Sequence, residues 1–220
     1  MRKILCFLFV MLAFGAAPMS ATWAAAAGSA SGPIRILALG DSLTAGYGLA
    51  NLKDSFPQQL EAALKAKGHN VTIIQGGVSG DTTTGGRSRL DWALGEKPDA
   101  VIVALGGNDA LRAVDPAVTF SSMDAIVKRI KKDNLPVLVA GMMAPPNLGK
   151  DYGDRFNAVF PKVAKDNGAL LYPFFLDGVA GIPALNQADR IHPTPDGVKV
   201  MVKGILPAVE KLIAQASARK

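Results

Sequence analysis

Cysteine is almost missing from this chain. Cys6 is the single one in 220 residues, and it lies within an N-terminal apolar run. If that run is a leader, the rest of the chain has no thiol, no disulfide and no Cys-based metal site. Histidine is scarce too. His69 and His192 are the only two, and they lie far apart in sequence. A metalloenzyme therefore has little to work with, and no metal or cofactor is expected. The apolar run from Ile4 to Ala17 is shorter than the roughly 20 residues a membrane span needs. Gly-x-Ser-x-Gly is absent, which disfavours a nucleophile-elbow hydrolase. There is no internal repeat, no low-complexity segment and no clustered basic stripe of the kind nucleic-acid binding requires.

Arg2 and Lys3, the apolar run to Ala17 and the small residues from Ala21 to Ala30 follow the order of a secretory signal peptide. Residues 1–27 are expected to be removed, with cleavage somewhere between Ala24 and Ala30. That implies a periplasmic or secreted protein without a stable membrane anchor. The remainder, residues 33–220, has the size of one domain, about 190 residues. The formal charge of +6 becomes +4 without Arg2 and Lys3. The lysines (Lys65, Lys67, Lys128, Lys131, Lys132, Lys199, Lys203) are scattered along helical stretches, as on a solvated basic surface. A monomer with no nucleic-acid partner fits these observations.

Strand and helix patterns alternate. Apolar runs at 34–39, 71–75, 100–105, 136–140 and 169–174 read as buried strands. Between them the sequence predicts helices over 55–67, 85–94, 115–133 and 152–167. Ser55 and Gln58 stand at capping-box positions. A last helix is capped by Thr194-Pro195-Asp196, and Gly204 and Pro207 are expected to kink or divide it. This alternation predicts an α/β fold, a parallel five-stranded sheet with helices on both faces.

Loops that follow strands share one edge of such a sheet, where ligands bind. Ser42 follows the first strand, Gly80 the second, Asn108 the third, and Asp189 and His192 the fifth. A nucleophilic serine needs a base. His69, between a helix and the start of strand two, falls at the opposite edge and reads as an exposed turn residue. His192 is then the only histidine available to Ser42. Asp189, three residues earlier, can take the other ring N–H. The amides of Ser42 and Gly80 and the side chain of Asn108 can surround an oxyanion. Taken singly, each segment also reads as a turn: a capping serine at 42, an ordinary Gly-Gly-Asn-Asp turn at 106–109, a proline-rich turn at 189–196.

Gly40-Asp41-Ser42-Leu43, Val78-Ser79-Gly80-Asp81-Thr82, Gly106-Gly107-Asn108-Asp109 and Asp189-Arg190-Ile191-His192-Pro193 together resemble the four blocks of an SGNH hydrolase of the GDSL type. The likeness spans the whole chain beyond the leader. Within the family it points to the bacterial periplasmic arylesterase, acyl-CoA thioesterase and lysophospholipase L1 group, and so implies a small-molecule or lipid ester as substrate. Gln75 departs from the family pattern, where many relatives carry Asn, and is expected to alter loop support. The resemblance implies a three-layer, flavodoxin-like α/β/α sandwich. It implies Ser42 as nucleophile, His192 and Asp189 as its partners, and Ser42, Gly80 and Asn108 as the oxyanion hole. It also implies a loop at 110–115 that moves on substrate binding and an acyl chain lying near Leu111, Met142 and Met143, although the two methionines read equally well as core packing. A carbohydrate O-acetyl esterase with the same triad and a non-catalytic periplasmic binding protein remain alternatives.

Overall fold

The computed structural model of the protein describes residues 32–219, so the leader at 1–27 lies outside the described residues. Five strands form one parallel sheet: β1 (Ile34–Gly40), β2 (Val71–Gly77), β3 (Ala100–Ala104), β4 (Val137–Ala140) and β5 (Leu170–Tyr172). Their order is β2-β1-β3-β4-β5. The inner strands β3 and β4 are buried throughout and are continuous apolar runs, as is β1 apart from Arg35 near its start. The edge strands β2 and β5 are only partly buried.

Helices α2 (Phe56–Ala66) and α9 (Pro195–Ser217) pack together, and α6 (Pro116–Lys132) packs against α8 (Val159–Asn167) and α3 (Thr83–Ser88). The chain is therefore a sheet between helical layers, as the alternation predicts. The strand order reverses at β1, between β2 and β3. This switch point, at the carboxyl ends of the strands, is where a crevice forms in open α/β sheets.

Several elements depart from the sequence reading. β2 runs on through Gly76 and Gly77, which pair with Leu39 and Gly40 of β1. Ser55 is buried and makes no side-chain cap. Pro57 has no N–H for it to accept, and Gln59 instead reaches the carbonyls of Asp54 and Pro195, tying α2 to the start of α9. The helix predicted over 152–167 is two, α7 (Lys150–Asn157) and α8. Pro161 cannot donate to the carbonyl of Asn157, and it is tolerated because it falls in the first turn of α8. The segment predicted over 85–94 begins earlier and is also two helices, α3 and α4 (Leu90–Leu94). The last helix is not divided: α9 runs through Gly204 and Pro207.

Candidate active site

β1 ends at Gly40, and the chain turns at once into a four-residue helix, α1 (Ser42–Ala45). The cap of that helix is Asp41, whose Oδ1 accepts from the Leu43 amide at 3.0 Å. The capping role is thus taken by Asp41, and the Ser42 hydroxyl is left to face elsewhere. It lies 2.9 Å from Nε2 of His192, a residue 150 positions away. Nδ1 of the same ring lies 2.7 Å from Asp189 Oδ2. Asp189 Oδ1 accepts from the amides of Ile191 and His192 at 2.9 and 3.0 Å. These bonds, the His192 ring first and the two amides next, hold the Asp189 carboxyl down at about pKa 2. The Tyr47 ring packs on His192 with centroids 4.6 Å apart. Gln187 steadies the turn by donating to the carbonyls of Tyr47 and Pro193 and taking up the His192 carbonyl through its own amide.

Asn108 stands in a short helix, α5 (Gly107–Leu111), directly after β3. The loop reading of this segment is therefore corrected. Gly106 caps α5 at φ 115°, a conformation open to glycine. Asn108 Nδ2 lies 3.4 Å from Asp41 Oδ2. Gly80 has φ 84°; its carbonyl accepts from Arg112 at 2.9 Å, and its amide donates to no described residue. The Ser42 amide, at the first position of α1, is likewise a helix-start donor. The structure thus brings Ser42, Asn108, Asp189 and His192 together and leaves the Gly80 amide unengaged. Gln75 donates to the Thr44 carbonyl at 3.1 Å and accepts from the Gly77 amide at 2.9 Å, so it braces α1 beneath the serine.

An apolar cavity of about 520 Å³ opens beside Ser42 and Asn108, within the range of small-molecule sites. Leu111, Met142 and Met143 all line it. Met142 is buried and Met143 half exposed, so the first also serves the core. His69 is not an exposed turn residue: it is partly buried, and its Nε2 lies 3.2 Å from Glu210 of α9. It does sit before β2, at the opposite end of the strands from Ser42. Among the described residues no cluster of His, Cys, Asp or Glu could hold a metal ion.

Some supporting residues escape sequence reasoning. Asp109 is fully buried, where its carboxylate accepts from the Thr83 amide and hydroxyl and from the Thr119 hydroxyl. It joins α5 to α3 and α6. Arg89 bonds Asp81 at 2.6 Å and the Gly40 carbonyl at 2.8 Å, holding the Gly80 loop against the end of β1. Asp41 is 1% exposed, and burial is the main reason its carboxyl is raised to about 6. A polar residue beside a turn signals little by itself, and only the folded neighbours reveal what it ties.

Comparison with known proteins shows the family and the fold. The sequence model of the GDSL-like lipase/acylhydrolase family matches residues 38–200. An arylesterase of Vibrio mimicus is 40% identical over 163 residues, 74% of this chain and 81% of the relative. The thioesterase 1/protease 1/lysophospholipase L1 of Escherichia coli K12 is 33% identical over 179 residues, 81% of this chain and 84% of the relative. The crystal structure of AlinE4, an SGNH-hydrolase family esterase, is 44% identical with a TM-score of 0.71, covering 83% of this chain and 98% of its own.

Proposed function

Because the chain belongs to the GDSL-like lipase/acylhydrolase family and is a GDSL-type ester hydrolase, we propose that it cleaves acyl esters and thioesters through an acyl-enzyme on Ser42. The observation that carries this reading is the hydrogen-bonded series from Ser42 to His192 to Asp189, at 2.9 and 2.7 Å. His192 takes the Ser42 proton as Oγ attacks the acyl carbon. The carbonyl electrons move onto oxygen, and the Ser42 and Gly80 amides and the Asn108 side chain donate to the oxyanion, each contributing about 2.7–4 kcal/mol to the transition state by analogy with other hydrolases. The tetrahedral intermediate collapses, and His192 passes its proton to the departing alcohol or thiol. Water, activated by the same histidine, then releases the acid and restores Ser42. Asp189 holds the imidazole in its tautomer and stabilises the imidazolium.

The apolar cavity gives the acyl chain a place against Leu111, Met142 and Met143. That favours aryl esters, acyl-CoA and lysophospholipids over acetylated sugars as substrates. The leader-like residues 1–27 support export to the periplasm, with residues 33–220 acting as one hydrolase domain. No described helix is long and apolar enough to cross a membrane.

The test is turnover of p-nitrophenyl esters from acetate to palmitate, set beside an acyl-CoA, a lysophospholipid and an acetylated xylan. Stoichiometric labelling by a serine-directed organophosphonate is measured in parallel. Wild type is expected to be labelled and active on the acyl series, and Ser42→Ala to be folded, unlabelled and inactive. Near-normal turnover by Ser42→Ala would overturn the mechanism, and acetylated xylan as the best substrate would overturn the substrate class.

A further inference from the structure

The cavity beside Ser42 is apolar on nearly every side, yet a cation stands at its edge. Only two charged side chains line it, Asp41 and Arg190. Asp41 is buried and engaged by the Leu43 amide and Asn108. Arg190 is exposed, and its guanidinium makes no hydrogen bond or ion pair with any described residue. The acid nearest in sequence cannot neutralise it cheaply: Asp189 spends one oxygen on two amides and the other on the His192 ring. Elsewhere Arg35, Arg89, Arg112, Arg129 and Arg155 each reach a carboxylate or a carbonyl; Arg87 and Arg219 do not, but neither lines the cavity.

The backbone makes this placement more telling. Arg190 has φ 60°, in the left-handed region. A non-glycine residue there is held against its own preference, and Asn or Asp would suit the position better. The turn is closed by the Arg190 amide on the Gln187 carbonyl at 2.9 Å and by the Ile191 amide on Asp189. The turn that sets Asp189 under the imidazole thus also carries an arginine at the cavity wall.

Chemistry says which part of a substrate meets it. The leaving oxygen or sulfur receives its proton from His192 and so lies on the histidine side of the scissile bond. Arg190 belongs to the same turn as that proton donor, closed by the Arg190 amide on Gln187 and by the Ile191 and His192 amides on Asp189, and stands at the rim of the cavity. A guanidinium offers a planar fork of donors that matches phosphate. Resting on the ester-hydrolase reading above, we propose that Arg190 is a specificity-determining residue that reads a phosphate on the leaving group. Among the substrates proposed above, Arg190 would then favour those that place an apolar chain in the cavity and a phosphate-bearing alcohol or thiol outside it over neutral esters of the same chain.

The test compares wild type, Arg190→Gln and Arg190→Lys on four decanoyl substrates kept monomeric: the p-nitrophenyl ester, the monoacylglycerol, the lysophosphatidic acid and decanoyl-CoA. The quantity read is the ratio of kcat/KM for a phosphate-bearing substrate to that for the neutral monoacylglycerol. In Arg190→Gln this ratio is expected to fall about three- to tenfold, the size suited to a solvent-exposed charge pair. In Arg190→Lys it is expected to stay within about threefold of wild type, since the charge is kept. Raising the salt from about 20 mM to about 500 mM should erase the wild-type preference and leave the Gln variant little changed, because exposed pairs are screened. A fall confined to the lysophospholipid assigns the headgroup as the source of the phosphate, and a fall confined to the acyl-CoA assigns the nucleotide carrier. A ratio unmoved in Arg190→Gln, or lost equally in Arg190→Lys, overturns the proposal. Neutral-ester turnover that survives Ser42→Ala would instead overturn the reading beneath it.

Discussion

Asp189 uses both oxygens, so replacing one of them separates its two duties. In Asp189→Asn the carbonyl can still accept the Ile191 and His192 amides, and the turn should persist. The amide NH₂, however, faces Nδ1 and favours the wrong tautomer of His192. Hydrolysis of p-nitrophenyl butyrate is expected to fall by about 10³–10⁴-fold, the scale seen for the same change in a serine protease. A loss of only a few-fold would reduce Asp189 to a turn residue. Its carboxyl, held at about 2, stays ionised through the whole neutral and mildly acidic range. Being depressed in the fold, it contributes stability that is present above the ordinary carboxylate range and is lost as pH falls towards 2. Asp41 has the opposite sign. Burial raises it to about 6 from an ordinary 3.8, so between those values the folded protein holds a proton that the unfolded chain has released. Stability contributed by Asp41 therefore falls as pH rises from about 4 to 6, by up to about 3 kcal/mol at 1.36 kcal/mol per unit. Urea unfolding of wild type and Asp41→Asn across pH 4.5–7.5 should show a difference that grows in favour of the variant with rising pH. A constant difference would mean that Asp41 is not charged at a cost in the fold.

At the scale of elements, the short helices that follow strands do most of the positioning. α5 begins at Gly106, where an added Cβ would lie 2.7 Å from Cζ of the buried Phe160. With φ at 115° as well, Gly106→Ala has no relaxed conformation to adopt. We expect a loss of roughly 1–3 kcal/mol in unfolding free energy and a fall in kcat larger than the change in KM, because Asn108 follows two residues later. Unaltered kcat in a variant that is clearly less stable would show that α5 does not position a transition-state donor. The long elements were legible from apolar periodicity and proline placement. The five-residue α5 and four-residue α1 were not, because so short a helix buries too little to leave a pattern. The break between α7 and α8 was readable in principle at Pro161, but the apolar spacing on either side is compatible with one helix.

Across the whole molecule, the strand order sets the two histidines at opposite ends of the sheet. His192 meets Ser42, whereas His69 sits beside Glu210, which Lys67 also contacts at 2.5 Å. His192→Ala is expected to lose at least about 10³-fold in ester hydrolysis. His69→Ala should keep activity within about twofold and lose no more than about 1 kcal/mol of stability, as befits a partly exposed pair. Assay of the two purified variants side by side, with thermal melts, decides the matter. Comparable activity losses would contradict the sheet topology as the device that assembles the site.

The sequence by itself determined the parallel α/β plan, the strand-end positions of Ser42, Gly80, Asn108, Asp189 and His192, and the choice of His192 over His69. These follow from the period of apolar residues and from the rule that strand-following loops share an edge, both local or nearly local facts. Only the tertiary structure decided that Asp41 caps α1 in place of Ser42, that Asp109 and Arg89 tie separate loops together, and that Arg190 faces the cavity without a partner. The reason is physical. A polar side chain carries no sign of its partner in its own neighbourhood of the chain; burial and hydrogen-bond geometry assign one only when distant segments meet.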